Sequence, residues 1–149
     1  MVEQALLKVF CTNFVAYYKS HAAHANVTGR NFVSDHELLG KIYEGLQAEI
    51  DTLGELLRTI KVDMPLTLIE TVDGSDVFDY LTPDQNQGLD FLETVHNDLL
   101  TLVDVHLDLE DATQDQREYN HLANYAQDRV RILQKYIWML RSTIDGRAP

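Results

Sequence analysis

Apolar residues recur at helical spacing over four long stretches, and the longest of these leaves little freedom in how the rest of the chain can fold. Leu39, Ile42, Leu46, Ile50, Leu53, Leu57 and Ile60 mark one stripe, which predicts a single helix from Ser34 to about Lys61. Ser34 with Glu37 three residues later is a capping-box signature for its start. Such a helix carries His36, Asp51 and Glu55 together, all metal-ligand types. At 1.5 Å per residue, His36 and Asp51 stand about 22 Å apart along the axis, so one chain cannot close both around one ion. Asp51 and Glu55 are one turn apart and can share an ion. His24, ending the preceding helix, returns level with His36 if the two helices form an antiparallel hairpin. The stretch therefore holds a histidine half-site and a carboxylate half-site, which only a second chain can join. An antiparallel two-fold pairing of this helix with its mate, the axis near Glu44 and Gly45, sets each histidine pair against the other copy's carboxylates.

The remaining stretches complete an all-α chain. Leu6, Val9, Phe10, Cys11, Phe14, Val15 and Tyr18 predict a helix from about Val2 to Asn26, and Val27 to Val33 connects it to the next. Met64-Pro65 and Asp73-Gly74 break Val62 to Leu81 into an irregular connection, with room for a short helical turn over Asp76 to Leu81. Thr82-Pro83-Asp84-Gln85 reads as an N-cap, a first-turn proline and a capping-box glutamine opening a third long helix. That helix carries Leu89, Leu92, Val95, Leu99, Leu102, Val103 and Leu107 to about Glu110. Thr113 and Gln116 form a weaker box before the last, which carries Leu122, Ala126, Val130, Leu133, Ile137, Leu140 and Ile144 and ends at Asp145-Gly146. Four long amphipathic helices with one long second-to-third connection describe a ferritin-like bundle rather than a simple up-down one, because that link can cross over. Gly40, Gly45 and Gly54 read either as tolerated surface glycines or as points of close helix approach at the two-fold.

Charge and composition narrow the function classes. The 149 residues carry a formal charge of −12, which opposes direct binding to a phosphate backbone and suits a protein that attracts cations. No run approaches a membrane span, and no signal-peptide core precedes the first helix. One cysteine, Cys11, falls in the apolar pattern and forms no internal disulfide, which makes a reducing cytoplasm the expected compartment. Glu93-x-x-His96 and Glu118-x-x-His121 share the spacing of intra-bundle di-iron ligands, but they fall at different levels of antiparallel neighbours. Nothing in the sequence supports nucleophilic catalysis or a phosphate-binding loop.

His24-x-Asn-Val-x-Gly-x-Asn-Phe-x-x-x-His36-Glu37, followed by Tyr43-x-x-Leu46 and Asp51-x-x-x-Glu55, resembles the signature of the Dps-type mini-ferritins. Pro65-Leu66 and Ile137-Trp138-Met139-Leu140 extend the resemblance over nearly the whole chain. It implies one ferritin-like domain over residues 1–149, assembled from two-fold dimers into a hollow dodecamer. It also implies oxidation of Fe(II) by hydrogen peroxide or dioxygen at inter-subunit ferroxidase sites, ferric storage inside, and protection against oxidative damage. His24 and His36 of one subunit, with Asp51 and Glu55 of its mate, are the iron ligands it implies, and zinc is a possible competitor for them. The competing reading of these four residues is a surface ion-pair cluster at a dimer contact. Acidic residues early in the last helix line three-fold pores in the family; Asp115 matches one such position and Glu118 is close by, while Asn120 and Asn124 stand where aspartates are frequent. Direct DNA binding depends in many members on basic tails, and here the first helix starts at the N-terminus. This sequence departs from the family at Ala25, where a tryptophan is common, and at Gly40, where an aspartate is frequent. Gly40 removes a ligand for a second metal, and His21, one turn before His24, can add a donor or stand as a solvated histidine. Those departures favour a second function: a Dps-like cage with a degenerate site, serving as a structural or metal-binding assembly.

Overall fold

The structure, a computed structural model that describes residues 1–147, places the long helices close to where periodicity puts them. They are α1 (Val2–Asn26), α2 (Phe32–Thr59), α4 (Leu89–Ala112) and α5 (Asn120–Ile144), with a short α3 (Leu68–Asp73) in the long connection. Among the described residues there is no strand. All four stripes turn inward to one shared core. Leu6 and Phe10, Leu39 and Leu53, Leu92 and Leu99, and Leu122 and Leu133 come one pair from each long helix, and none is more than 2% exposed.

The helices form two hairpins, α1 with α2 and α4 with α5, and α1 also packs on α4. Three contacts between distant residues fix the directions. Gly88, entering α4, lies against Val27 at the end of α1, so α1 and α4 run antiparallel. His121 near the start of α5 meets Thr59 at the end of α2, while Arg147 beyond α5 meets Asp35 near the start of α2. The second-to-third connection therefore traverses the bundle, passing Cys11 and Thr12 midway along α1, where Thr12 Oγ1 accepts the Asp76 amide. This is the crossover of a ferritin-like bundle.

Helix boundaries depart from the expected ones where side chains found other partners. α2 begins at Phe32 rather than Ser34, because the Ser34 hydroxyl donates back to Asn31 O instead of capping. It ends at Thr59 in a Schellman motif: Val62 N–H donates to Leu57 O and Lys61 N–H to Arg58 O, with Lys61 at φ 64°. The short helix lies at Leu68–Asp73, not at Asp76 to Leu81, and is capped by Thr67 Oγ1 accepting the Glu70 amide at 3.1 Å. Residues 82–88 are not helical. Asp84 there accepts the Gly88 and Asp90 amides, and Asp90 in turn accepts the Gln85 amide, so the pair folds a loop ahead of Leu89. Thr113 and Gln116 close α4 instead of opening α5, donating to Glu110 O and Ala112 O, and a 3-10 turn at Arg117–Tyr119 leads into α5.

Candidate metal centre

The α1–α2 turn brings His24 and His36 together face to face, their rings 3.8 Å apart at 18°. Each ring is locked by the other residue's backbone. His24 Nδ1 donates to the His36 carbonyl at 2.7 Å, and His36 Nδ1 donates to the His24 carbonyl at 2.8 Å. Because a carbonyl only accepts, both rings carry a hydrogen on Nδ1, which leaves Nε2 as the nitrogen of each ring that can ligate a metal. This is the arrangement that orients metal-binding histidines, with the non-ligating nitrogen held by a backbone oxygen. The two histidines line a shallow groove with Glu37, Gly40, Lys41, Glu44 and Gly45.

Rings continue on either side of the pair. Phe32 stacks on His36 at 5.0 Å, and Tyr43 lies 5.1 Å from His24. His21 does not join the pair as a third donor in this chain: it stacks on Tyr43 at 3.9 Å, and its Nδ1 is 3.1 Å from the Tyr17 hydroxyl. Gly40 explains part of the packing. A Cβ there would come within 3.0 Å of His24 Cε1 and 3.1 Å of Nδ1, so the His24 ring uses the room left by the absent side chain. Gly45 and Gly54 are likewise occupied from within the chain, by the Tyr136 hydroxyl and Met64 Sδ. None of the three is a bare backbone site.

Asp51 and Glu55 are exposed on the same continuous α2 as His36, with Asp51 about 22 Å along it from His36. Among the described residues, no three His, Cys, Asp or Glu side chains gather as an ion would need. His24 and His36 therefore stand together in this chain, while Asp51 and Glu55 lie apart from them along α2. Asp115 and Glu118 are both exposed in the link between α4 and α5, where Asp115 takes a left-handed conformation at φ 60°. The two Glu-x-x-His motifs do not meet in the interior: Glu93, Glu118 and His121 face solvent, and His121 Nε2 bonds Thr59 Oγ1.

The buried polar groups lie elsewhere, and periodicity alone did not single them out. Lys19 and Asp98 pair across α1 and α4 at 2.9 Å, and burial pushes the Asp98 carboxyl up against the pull of the ammonium. Tyr125 donates to Glu49 Oε1 at 2.9 Å beside Arg129, and burial raises its hydroxyl first, with the Glu49 charge adding. His106, 1% exposed, donates Nδ1–H to Leu102 O, and its Nε2 has no partner. Charged residues at inward helical positions, such as Lys19 in α1 and Arg129 in α5, were the available signal for these pairs.

Comparison with known proteins agrees with this architecture. The ferritin-like domain profile matches residues 3–147. The DNA protection during starvation protein of Brevibacillus brevis is 27% identical over 135 residues, covering 88% of this chain and 86% of that protein. The crystal structure of a Dps protein from Bacillus brevis superposes with a TM-score of 0.88 at 25% identity, over 97% of this chain and 95% of the other. A Dps protein from Vibrio cholerae O1, described as a member of a broad superfamily of ferritin-like diiron-carboxylate proteins, shares the fold with a TM-score of 0.88 at 19% identity, over 97% and 89% of the two chains. No helix among the described residues is long and apolar enough to cross a membrane. With a crossover four-helix bundle and a family profile spanning nearly its full length, the chain belongs to the ferritin-like family, among relatives of the Dps type.

Proposed function

We propose that this chain assembles through two-fold pairs into a mini-ferritin cage, a dodecamer by resemblance, that oxidises Fe(II) with hydrogen peroxide or dioxygen and sequesters the Fe(III). The carrying observation is the mutual locking of His24 and His36, which turns both Nε2 atoms toward ligation at an open groove. In a two-fold pair, Asp51 and Glu55 of the mate complete a coordination shell of two imidazoles and two carboxylates, with positions left for the oxidant. Iron is the substrate. The histidines and carboxylates hold it as the reduced ion, and the oxidised, hydrolysed product passes to the acidic interior. Consuming peroxide in this way suits the role in the relative's name, protection of DNA, without contact to DNA. The charge of −12 gives no electrostatic footprint for a duplex. Asp115 and Glu118 are the proposed cation entry, and zinc, which takes the same donors, is the proposed competitor.

The test replaces Asp51 and Glu55 with alanine. Ferric absorbance after a peroxide pulse on anaerobically loaded protein should rise fast in the wild type and no faster than buffer in the double variant. Both proteins should retain the same size by light scattering. Normal oxidation by the double variant would remove these carboxylates from the site. A second reading, a cage with a degenerate site, is favoured by one observation: the His24 ring fills the space beside Gly40 where a further ligand would stand. Iron uptake without peroxide-driven oxidation in the wild type selects it.

A further inference from the structure

An open pocket of about 500 Å³ lies where the α1–α2 turn, the loop ahead of α4 and the residues after α5 converge. Arg30 and Arg147 line it together with the carboxamides of Asn31, Gln85, Asn86 and Gln87. Among the described residues no Asp or Glu lines it, on a chain with 24 of them and only 12 Lys and Arg. It shares no lining residue with the groove at His24 and His36.

The carboxylates on the same segments are engaged elsewhere. Asp35, fully buried, takes Arg147 through two bonds, from Nη1 at 2.9 Å and Nη2 at 2.6 Å. Asp84 accepts the Gly88 and Asp90 amides, and Asp90 accepts the Gln85 amide and Asn86 Nδ2. A guanidinium carries more N–H donors than two bonds use, so Arg147 is held in place by Asp35 and still has donors to give. Arg30 is exposed and forms no ion pair among the described residues. The walls fit without slack. A Cβ at Gly88 would meet Asp35 Oδ2 at 2.6 Å, and one at Gly29 would meet Gln87 Cβ at 2.7 Å. Gln87 itself holds φ 50°, a left-handed conformation that a residue other than glycine keeps only where its surroundings impose it.

Two guanidinium groups against the single carboxylate of Asp35 leave the pocket net positive, and planar guanidinium forks match the oxygens of a tetrahedral oxyanion. The carboxamides narrow the choice. Asn86 gives its nitrogen to Asp90 and keeps its carbonyl oxygen as an acceptor. Hydrogen phosphate has an O–H to donate as well as oxygens that accept, whereas chloride and sulfate near neutral pH only accept. We infer that this pocket binds inorganic phosphate, with Arg30 and Arg147 on its unprotonated oxygens and a carboxamide oxygen taking its O–H. The overall charge of −12 repels a long polyanion, but charges beyond a Debye length of about 8 Å are screened, so the local arginines decide for a small ion. The occupant is therefore the free ion and not a nucleic-acid backbone. This site does not depend on the iron reading and can be tested with no metal present.

Inorganic phosphate is titrated calorimetrically into metal-free protein, sized by light scattering and kept in chloride buffer. One saturable site per chain should appear, and the phosphorus NMR line should broaden as the ion takes on the tumbling of the assembly. Arg30→Gln, which alters an exposed side chain, should weaken binding about tenfold, the loss typical of a hydrogen bond between charged groups. Arg30→Lys should restore part of it. Arg131→Gln, which removes a guanidinium paired with Asp128 on α5, should bind as the wild type does. Sulfate should bind several-fold more weakly than phosphate. No saturable binding up to about 10 mM phosphate, or an unchanged affinity in Arg30→Gln, overturns the inference. An equal loss in Arg131→Gln overturns it as well, since general attraction to positive charge would then explain the binding. Sulfate binding as tightly as phosphate overturns the assignment to phosphate.

Discussion

Gly40 and His24 share one volume, which makes a glycine inside a helix part of the candidate metal centre. The sequence showed Gly40 as a departure from a family pattern; that the neighbouring imidazole lies in its place depends on how the α1–α2 turn closes, which spacing does not encode. A methyl group at Gly40 would press on His24 at 3.0 Å, so the ring must give way or strain its bond to the His36 carbonyl. Gly40→Ala should weaken Fe(II) binding about tenfold in an anaerobic titration, the low end of the 1–3 kcal/mol typical of overpacking. Unchanged affinity would show that the ring has slack. His106 makes a separate prediction. Burial, with the nearby Arg129 charge adding to it, lowers its pKa to about 4 from 6.5, against the bond to Leu102 O that pulls the other way. The unfolded chain therefore binds the proton first, and the stability of the neutral buried form is lost as pH falls from 6.5 through about 4. The whole effect is about 3 kcal/mol at 1.36 kcal/mol per unit. Melting wild type and His106→Gln in parallel between pH 7 and pH 4 should show their difference narrowing by up to that amount. A constant difference would remove His106 as the cause.

At the scale of elements, apolar periodicity located the four long helices to within a few residues, except the starts of α4 and α5. Caps were read less well, for a physical reason. Serine, threonine and aspartate hydrogen-bond in several local geometries, and the ones the chain uses depend on the turn around them. Ser34 and Thr113 donate backward to carbonyls, and Asp84 organises a loop with Asp90 instead of a first helical turn. Thr67-x-x-Glu70 is the usable signature for the short helix, which forms there and not over residues 76–81. The end of α2 carries a different lesson. Its Schellman motif places Lys61 at φ 64°, where glycine is the usual residue. Lys61→Gly should relieve that strain and raise stability by about 0.5–1 kcal/mol, read as a higher melting temperature with helicity unchanged. A lower melting temperature would mean that the Lys61 side chain contributes more than its backbone costs.

For the molecule as a whole, the separation of His36 from Asp51 along one helix depends on rigid helix geometry, so errors at helix ends do not change it. What covers the rest of the surface was less legible, because exposed apolar residues on a connection do not advertise themselves through periodicity. Leu66, Leu68 and Ile69, at 83%, 69% and 73% exposed, form a cluster around α3 that solvated proteins rarely leave bare. On the proposed reading they are contacts between copies. Leu68→Glu with Ile69→Glu should therefore reduce the assembly to smaller species by light scattering while the helical circular dichroism is kept. An intact cage would assign the cluster another role. The roughly 22 Å between His36 and Asp51 on one unbroken helix has a further, kinetic consequence. A single chain cannot bring Asp51 and Glu55 to an ion held by His24 and His36, so on the proposed mechanism a lone chain is inert toward iron and peroxide. Below the dissociation threshold of the two-fold pair, the rate per chain should fall in proportion to protein concentration instead of staying constant. A newly made copy would then start no oxidation until its mate has docked, so iron would be oxidised only where an enclosure exists to receive the product.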